Sequence, residues 1–450
     1  MTEWLKDALG YAGQWLEYQM KVAELPGCVL AVAKDGELVL ERAYGVADLK
    51  TEAPLAPEHR FRVASHSKTF TAVGIMKLHE AGRLHLDDKI GQYVKGLDAA
   101  VATVTIAQLL SHGAGILRDG TSAPHWQLRN PFFDEAQLRA QLAEPLAIDA
   151  NTRFKYSNLG FGLLGLAIEA ITGETYNDWI SREVVEPSGL RHTLPDTPLP
   201  EGTPVAAGHS GRMPFGRGAV AGDGATYALA AATGFVSTAG DLARFFASLD
   251  PAASTSILSV ASRREMTRRH WQVPHQKEVR YYGLGTMAGS IDGHAMFGHG
   301  GAFPGFISRT VTVPEWGVTV SIVTNAIDGP ANPWVEGIVA IMHQFSLRGA
   351  PTSKIAAWSG RWWTIWGAVD LVPMGEKVLL ADPSAAKPFV DATELEISSP
   401  TEGHIALANG FGSHGERAAL RLGADGKAER LFLGGTELVP DAKDRTISFE

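Results

Sequence analysis

Ser65 and Lys68, a serine and a lysine separated by two residues, are the first side chains in this sequence that could carry out covalent chemistry together. Three residues are almost one turn of an α-helix, so a helix that begins at Ser65 would place the lysine amine beside the serine hydroxyl. A serine hydroxyl next to a base can attack a carbonyl carbon. The structural alternative is that Ser65 only caps the helix and Lys68 is solvated.

The residues after Ser65 favour the helix that this chemistry needs. Apolar residues recur at helical spacing and the run ends at Gly82. A second serine–lysine pair, Ser384 and Lys387, lacks such a helix, because Pro388 disfavours helical backbone at the residue before it. The sequence therefore predicts a nucleophile at Ser65 and a loop at Ser384.

Two loops with polar residues adjoin predicted helices further along the chain. The cluster Tyr156-Ser157-Asn158 precedes the apolar run 159–171, which predicts a buried helix with the cluster at its start. Thr105 and Gln108 have the spacing of a capping box for a short helix, which ends in a glycine-rich loop. In that loop, His112 is expected to bond locally and to shape the turn rather than to react.

Composition and charge exclude several classes of protein. With 45% hydrophobic and 20% charged residues, the 450-residue chain has the composition of a globular protein. Its net charge is −9 without a basic cluster, which argues against a nucleic-acid partner. No apolar run reaches eighteen residues, so no membrane span is expected. Cys28 is the only cysteine, so no internal disulfide is expected, and a cytoplasmic location is the default expectation.

No cofactor or metal is expected. The stretch that begins His79-Glu80 does not have the spacing of the zinc motif H-E-x-x-H. The G-x-S-x-G turn of α/β-hydrolases is also missing from the sequence.

The order of predicted elements indicates an α+β fold. A hairpin is expected over residues 28–45, with Asp35-Gly36 as its turn, and helices follow. Strands return at 306–313 and 318–324, before a helix from about Trp334 to Leu347. Beyond a linker at about residue 351, short strand-like runs alternate with turns, which predicts a small all-β barrel. The sequence thus predicts two domains, residues 1–350 and 351–450.

Three motifs in chain order carry a resemblance to a known family. Ser65-x-x-Lys68, Tyr156-x-Asn158 and His299-x-Gly301 correspond to the three boxes of the serine β-lactamase and penicillin-binding-protein superfamily, which this chain resembles over about residues 20 to 348. The third box has histidine where lysine is usual. In this respect, and in its appended lipocalin-like barrel, the chain is similar to the D-aminopeptidase branch.

The resemblance implies a fold and a set of roles. The fold would be an antiparallel sheet flanked by helices, with an all-helical subdomain. Ser65 would form an acyl-enzyme, and either Lys68 or Tyr156 would be its base. The backbone N–H groups of Ser65 and Ala302 would bind the oxyanion. Asn158 would hold the substrate's acyl-side amide, while Gly300 and Gly301 would let substrate lie against the strand edge.

His299 bears on the substrate. Histidine has a reference pKa of about 6.5 and is largely neutral at pH 7, so uncharged amides, N-terminal residues of peptides or esters are favoured over β-lactams. We therefore expect a small-molecule or short-peptide substrate and hydrolysis of amide or peptide bonds, with D-amino-acid peptides or amides among the candidates. A carboxylesterase or lactonase, and a penicillin-recognising or scaffold protein with little turnover, are the alternatives. The sequence leaves open whether the chain forms a homo-oligomer.

Overall fold

The computed structural model describes residues 1–220, 224–410 and 412–441. The chain forms two compact units. We call residues 25–335 the sheet unit, and residues 1–24 with those from 336 onward the barrel unit. No helix in the described ranges is both long enough and apolar enough to cross a membrane.

Nine α-helices occur in the described residues. In chain order they are α1 (Glu3–Val22), α2 (Ser67–Glu80), α3 (Ile106–Leu110), α4 (Glu135–Leu142), α5 (Asn158–Thr172), α6 (Tyr176–Ile180), α7 (Ala239–Ser248), α8 (Val260–Thr267) and α9 (Ala331–Arg348). Helix α1 belongs to the barrel unit, and α9 passes from the sheet unit into the barrel unit at residue 336.

The sheet unit is built on a nine-stranded antiparallel sheet. Its strands, with those of a separate two-stranded ribbon, are β1 (Gly27–Lys34), β2 (Glu37–Asp48), β3 (Ala53–Pro54), β4 (Phe61–Arg62), β5 (Val236–Ser237), β6 (Trp271–Gln272), β7 (Tyr281–Tyr282), β8 (Met287–Ile291), β9 (His294–Phe303), β10 (Phe306–Val313) and β11 (Val318–Thr324). The sheet order is β3-β2-β1-β11-β10-β9-β8-β7-β6, and β4 pairs with β5. The predicted α+β class is confirmed.

The first hairpin shows why the local sequence predicts this sheet. Strands β1 and β2 are joined by Asp35 and Gly36, which both have positive φ angles of 51° and 89°. Such a pair forms the turn whose twist matches two antiparallel strands, and Asp-Gly is one of its preferred sequences. The hairpin predicted over residues 28–45 is therefore confirmed.

Helix α2 lies at the centre of the sheet unit. Its residues from Ser67 to Met76 are all buried, including four polar ones. Because Gly74 has no side chain, the helix can pack closely against Ile180. A Cβ on Gly74 would lie 2.7 Å from the Ile180 side chain. The helix ends at Glu80, Ala81 is its C-cap, and Gly82 follows with a φ of 66°, as expected for glycine after a helix C-terminus.

The barrel unit contains an eight-stranded antiparallel sheet. Its strands are β12 (Gly360–Thr364), β13 (Gly367–Met374), β14 (Lys377–Ala381), β15 (Thr393–Ser399), β16 (Glu402–Leu407), β17 (Arg417–Leu422), β18 (Ala428–Leu433) and β19 (Thr436–Leu438). Each strand pairs with the next, and backbone hydrogen bonds between Trp363 and Val439 join the first strand to the residue after the last. The predicted small barrel is confirmed. Trp358 and Trp362 are buried in its core.

Helix α1 belongs to the barrel unit and not to the sheet unit. In α1, Tyr11 donates a 3.1 Å hydrogen bond to the carboxylate of Asp370, and Gln19 donates to the Pro383 carbonyl at 2.7 Å. The sequence placed this helix in a first domain of residues 1–350. That boundary stays a prediction, while the described contacts group residues 1–24 with the C-terminal strands.

Candidate active site

Ser65 lies at the N-terminal end of the central helix. It is the middle residue of a single 3₁₀ turn, Ala64–His66, which lies directly before α2. Ala64 has a φ of 46°, a left-handed conformation that is uncommon for residues other than glycine and that clusters at functional sites. Ser65 is partly exposed, whereas Ala64 and His66 are buried. The turn therefore presents one hydroxyl to solvent from an otherwise buried segment.

Lys68 is fully buried behind Ser65. Its Nζ lies 3.1 Å from Ser65 Oγ, 2.7 Å from Asn158 Oδ1 and 2.8 Å from the Ala232 carbonyl oxygen. Burial holds the pKa of this amine well below its usual value, and the charge of Asp119 opposes part of that decrease. The site therefore favours the neutral amine, which can act as a base.

The three contacts fix the direction of the Lys68 lone pair. A neutral amine has two N–H groups and one lone pair. The amide oxygen of Asn158 and the carbonyl oxygen of Ala232 accept hydrogen bonds and cannot donate them. Both N–H groups are therefore used there, and the lone pair of Nζ faces the hydroxyl of Ser65.

Tyr156 contacts the same hydroxyl from a second side. Its phenol donates a 2.7 Å hydrogen bond to Ser65 Oγ. Burial raises the pKa of the Tyr156 phenol above its usual value, although the bond to Ser65 partly lowers it. A protonated phenol that donates to Oγ cannot take the Ser65 proton at the same time. The geometry thus favours Lys68 as the base and Tyr156 as a donor.

Asn158 connects Lys68 to an acidic residue. Its Nδ2 donates to Asp119 Oδ1 at 2.5 Å, while its Oδ1 accepts from Lys68. The indole N–H of Trp126 also donates to Asp119 Oδ1, at 2.9 Å. Arg118 forms an ion pair with the other carboxylate oxygen at 3.3 Å. The Asn158 amide is thus engaged at both ends by side chains of the protein, whereas the resemblance implies that it holds the substrate's acyl-side amide.

His112 shapes the turn that carries Tyr156 and Asn158. Its Nδ1 accepts a hydrogen bond from the Ser157 backbone N–H at 3.2 Å, and its carbonyl accepts from Lys155 N–H at 2.8 Å. Its ring centroid lies 4.2 Å from that of Tyr156. This agrees with the predicted local role of His112.

His299 is buried on β9 and is held by a tyrosine. Its Nε2 lies 2.8 Å from the Tyr282 hydroxyl, and its Nδ1 contacts the Gly300 carbonyl oxygen at 2.7 Å. Burial holds the pKa of His299 well below its usual value, and the positive field of neighbouring groups adds to this effect. The imidazole is therefore neutral at pH 7, as the sequence predicts.

Strand β9 packs against the backbone just before Ser65. A Cβ on Gly301 would lie 2.1 Å from the Val63 carbonyl oxygen, so only glycine fits at this position. Gly301 pairs with Ser308 and Ala302 with Ile307 on β10, which sets the position of the β9 edge. The edge with Gly300, Gly301 and Ala302 therefore lies close to the 3₁₀ turn.

These residues surround one open cavity of about 620 Å³. Of the residues predicted from the sequence, the following line it: Ser65, Tyr156, Asn158, His299, Gly300, Gly301 and Ala302. Lys68 does not line the cavity, since it lies behind Ser65. Apolar side chains form much of the remaining wall: Trp126, Met287, Phe303, Ile307 and Ile327. The cavity can take a small substrate with an apolar portion.

Residues 13–333 match the beta-lactamase family. The chain belongs to that family. The resemblance predicted from the three sequence motifs is confirmed, and the matched range contains every residue of the cavity.

Curated relatives of this beta-lactamase-family chain include two bacterial proteins. Penicillin-binding protein 4 of Amycolatopsis lactamdurans is 31% identical over 337 residues, which is 67% of this chain and 81% of the relative. Protein flp of Staphylococcus aureus is 30% identical over 182 residues, which is 40% of this chain. The aligned part spans only 36% of the length of protein flp.

Solved structures show the same fold. A structure of the octameric penicillin-binding protein homologue from Pyrococcus abyssi matches with a TM-score of 0.66 and 22% identity, over 96% of this chain and 99% of the other. A D-stereospecific amidohydrolase from Streptomyces sp. matches with a TM-score of 0.59 and 25% identity, over 71% of this chain and 94% of the other.

Sequence reasoning missed three residues of the site in this family member. Asp119, Trp126 and Tyr282 belong to no motif. Asp119 and Tyr282 contact Asn158 and His299, which lie 39 and 17 residues further along the chain, and Trp126 donates to Asp119. One signal existed for Asp119, because it follows the glycine-rich loop after His112 within a few residues. In the parts of the chain that the structure describes, no group of three or more His, Cys, Asp or Glu side chains could hold a metal ion.

Proposed function

We propose that this chain is a serine hydrolase that forms an acyl-enzyme on Ser65 and hydrolyses amide bonds in small substrates. The observation that carries the proposal is the position of Ser65 Oγ between the Lys68 amine at 3.1 Å and the Tyr156 hydroxyl at 2.7 Å. A hydroxyl with an unprotonated amine and a phenol at hydrogen-bond distance, at the wall of an open cavity, has what acyl transfer requires.

In the first half of the reaction, Ser65 Oγ attacks the substrate carbonyl carbon. The Ser65 proton moves to the Lys68 lone pair, the Oγ–C bond forms, and the carbonyl oxygen becomes an oxyanion. The amine that leaves takes a proton from Tyr156, which is reprotonated by Lys68, as the C–N bond breaks. Water then attacks the ester carbonyl carbon and gives a proton to Lys68. As the bond between Oγ and the acyl carbon breaks, that proton passes to Ser65 Oγ, and the carboxylic acid product is released.

The oxyanion would be stabilised by backbone N–H groups. We assign this role to the N–H groups of Ser65 and Ala302, since the contact between Gly301 and Val63 holds β9 against the turn that carries Ser65. Preorganised backbone donors need no rearrangement when the charge develops, and removal of one such donor costs about 2.7–4 kcal/mol in known enzymes.

A substrate with a free amino group can pair with the one carboxylate among the described charged residues that line the cavity, which are Asp119, Arg118 and Arg309. Asp119 places a carboxylate at the cavity wall beside Asn158 and the apolar ring of Trp126. An ammonium group would pair with this carboxylate, while an apolar side chain would contact the aromatic wall. Neutral His299 offers no fixed positive charge for a carboxylate. Amino acid amides and the N-terminal residues of short peptides are therefore the proposed substrates.

Esters and lactones are the second candidate, because the same groups at Ser65 would cleave them. The deciding experiment is a turnover screen with D- and L-aminoacyl amides, N-acetylated amides, short-chain esters and a chromogenic β-lactam. We expect the aminoacyl amides to give the highest kcat/KM, and both stereoisomers belong in the screen. Higher values for neutral esters would favour the esterase alternative. Slow acylation without turnover by any substrate would indicate a binding protein.

A further inference from the structure

We propose that a substrate ammonium group bound at Asp119 activates the enzyme, because it cancels the negative charge that favours protonated Lys68. The inference rests on the proposed function and concerns the control of that same site. At a pH below the pKa of Lys68 in the free enzyme, docking of a cationic substrate would thus expel one proton from Lys68 to solvent and leave the neutral amine facing Ser65.

One side chain connects the two groups. The Asn158 amide donates to Asp119 Oδ1 at 2.5 Å and accepts from Lys68 Nζ at 2.7 Å. Asn158 is 2% exposed, so water does not screen the path between the carboxylate and the amine effectively. A change of charge at Asp119 is therefore felt at Lys68.

The carboxylate can receive an ammonium group on its second oxygen. Oδ1 is occupied by Asn158 and Trp126, while Oδ2 has Arg118 at 3.3 Å. The Arg118 side chain is 64% exposed, whereas that of Asp119 is 13% exposed. An exposed ion pair contributes only about 0–1 kcal/mol, so Arg118 can shift to let a substrate cation share the oxygen, which adds a positive charge beside Asp119.

Among the other groups around Lys68, Arg118 already offsets part of the Asp119 charge, because it lowers the pKa of Lys68. The titratable or charged groups that face it from the neighbouring elements are Arg118, Asp119, His112, Tyr156 and His299. Burial holds the pKa of both histidines well below the usual value, and burial raises the pKa of Tyr156, so these three are neutral at pH 7. Asp119 is the one negative charge in this set, and its effect raises the pKa of Lys68.

As a consequence, substrates with and without an ammonium group should differ in the rate of the chemical step. A substrate with an ammonium group lowers the pKa of Lys68 by roughly one to two pH units when it binds, the size expected for the loss of one nearby opposite charge. A substrate without this group leaves the amine as it is in the free enzyme. Selectivity would then appear in kcat at low pH and not only in KM.

The test compares pH profiles for phenylalanine p-nitroanilide, in the stereoisomer that is turned over, and for 3-phenylpropionyl p-nitroanilide, which lacks the amino group. The acid limb of kcat/KM reports the free enzyme, and that of kcat reports the enzyme–substrate complex. The profiles are compared below the reference pKa of an α-amino group, about 7.7–8.0, where the ammonium form of the substrate predominates.

For the phenylalanine substrate, we expect the kcat limb to lie roughly one to two pH units below the kcat/KM limb. For the substrate without an amino group, the two limbs should coincide. In Asp119→Asn, the kcat/KM limb should itself move to lower pH and the separation should vanish. Trp126→Phe removes a hydrogen bond but keeps the carboxylate, and is expected to keep the separation.

Two kinds of failure are distinguishable. Coincident limbs for the phenylalanine substrate in the wild-type enzyme, or an equal separation for both substrates, would overturn the coupling and leave the proposed hydrolase intact. If neither anilide acylates Ser65, as read by intact-protein mass spectrometry, the proposed function itself is wrong.

Discussion

The side-chain carbonyl of Asn158 accepts a 2.7 Å hydrogen bond from the buried amine of Lys68. Together with the bond to the Ala232 carbonyl, it uses both N–H groups that a neutral lysine amine can donate. The remaining lone pair points at Ser65. We therefore propose that the Asn158 contact makes Lys68, and not Tyr156, the base that takes the Ser65 proton.

Lys68 and Tyr156 should act as one unit. Lys68→Ala and Tyr156→Phe each break the path that takes the proton from Ser65 to the leaving group, so each should lower kcat by a factor on the order of 10² to 10⁴. The double variant should be little worse than the poorer single variant. Steady-state kinetics of the three variants measure this. Losses that multiply would show that the residues work independently.

Asn158→Asp should shift the working pH range upward. A carboxylate in place of the amide would stabilise the ammonium form of Lys68, so the pKa of the amine should rise by at least about one unit. Because the neutral amine is the active form, the acid limb of kcat/KM should move to higher pH by the same amount. Asn158→Ser, which adds no charge, is the control. An unmoved limb in the aspartate variant would argue against Lys68 as the base.

Gly301→Ala should damage the protein far more than Gly300→Ala. A Cβ at residue 301 would lie 2.1 Å from the Val63 carbonyl oxygen, whereas a Cβ at residue 300 would lie 3.4 Å from the Ser308 carbonyl oxygen. Overpacking of this kind costs about 1–3 kcal/mol. Thermal unfolding and kcat/KM of both variants provide the test. Equal tolerance at the two positions would mean that β9 does not press on the turn before Ser65.

Acid should destabilise the fold through His66. Burial lowers the pKa of this histidine to about 3, whereas in the unfolded chain it is about 6.5. The unfolded state therefore takes up a proton first, and stability is lost as pH falls from about 6.5 towards 3, by about 1.4 kcal/mol per pH unit for one group. The free energy of unfolding, measured with denaturant between pH 6 and 4, should change less with pH in His66→Gln than in the wild type. An equal pH dependence of the free energy of unfolding in both proteins would show that His66 is not a buried neutral group.

Local parts of the site could be predicted from the sequence because their signals are local. The Ser65–Lys68 pair lies within one helical turn, and the loop at Ser384 is marked by prolines on both sides. In the structure, Ser384 lies in a turn in which its hydroxyl bonds to Asp382, as predicted. Strands β10 and β11 have the bounds that the alternating patterns indicate.

Other parts depend on contacts between distant segments and could not be predicted. Asp119 becomes important only because Asn158 and Trp126 donate to it, and Tyr282 only because it meets His299. The position of α1 in the barrel unit follows from contacts across more than 350 residues, such as that between Tyr11 and Asp370. Periodicity within a segment carries no information on such pairings.

The central claim is that Ser65 is the nucleophile. The most direct measurement is labelling with an active-site-directed fluorophosphonate, followed by mass mapping of the adduct in the wild type and in Ser65→Ala. We expect one adduct on Ser65 in the wild type, no adduct in Ser65→Ala, and slower labelling in Lys68→Ala. An adduct on Ser384 or another serine, or a folded wild type that does not react, would contradict it.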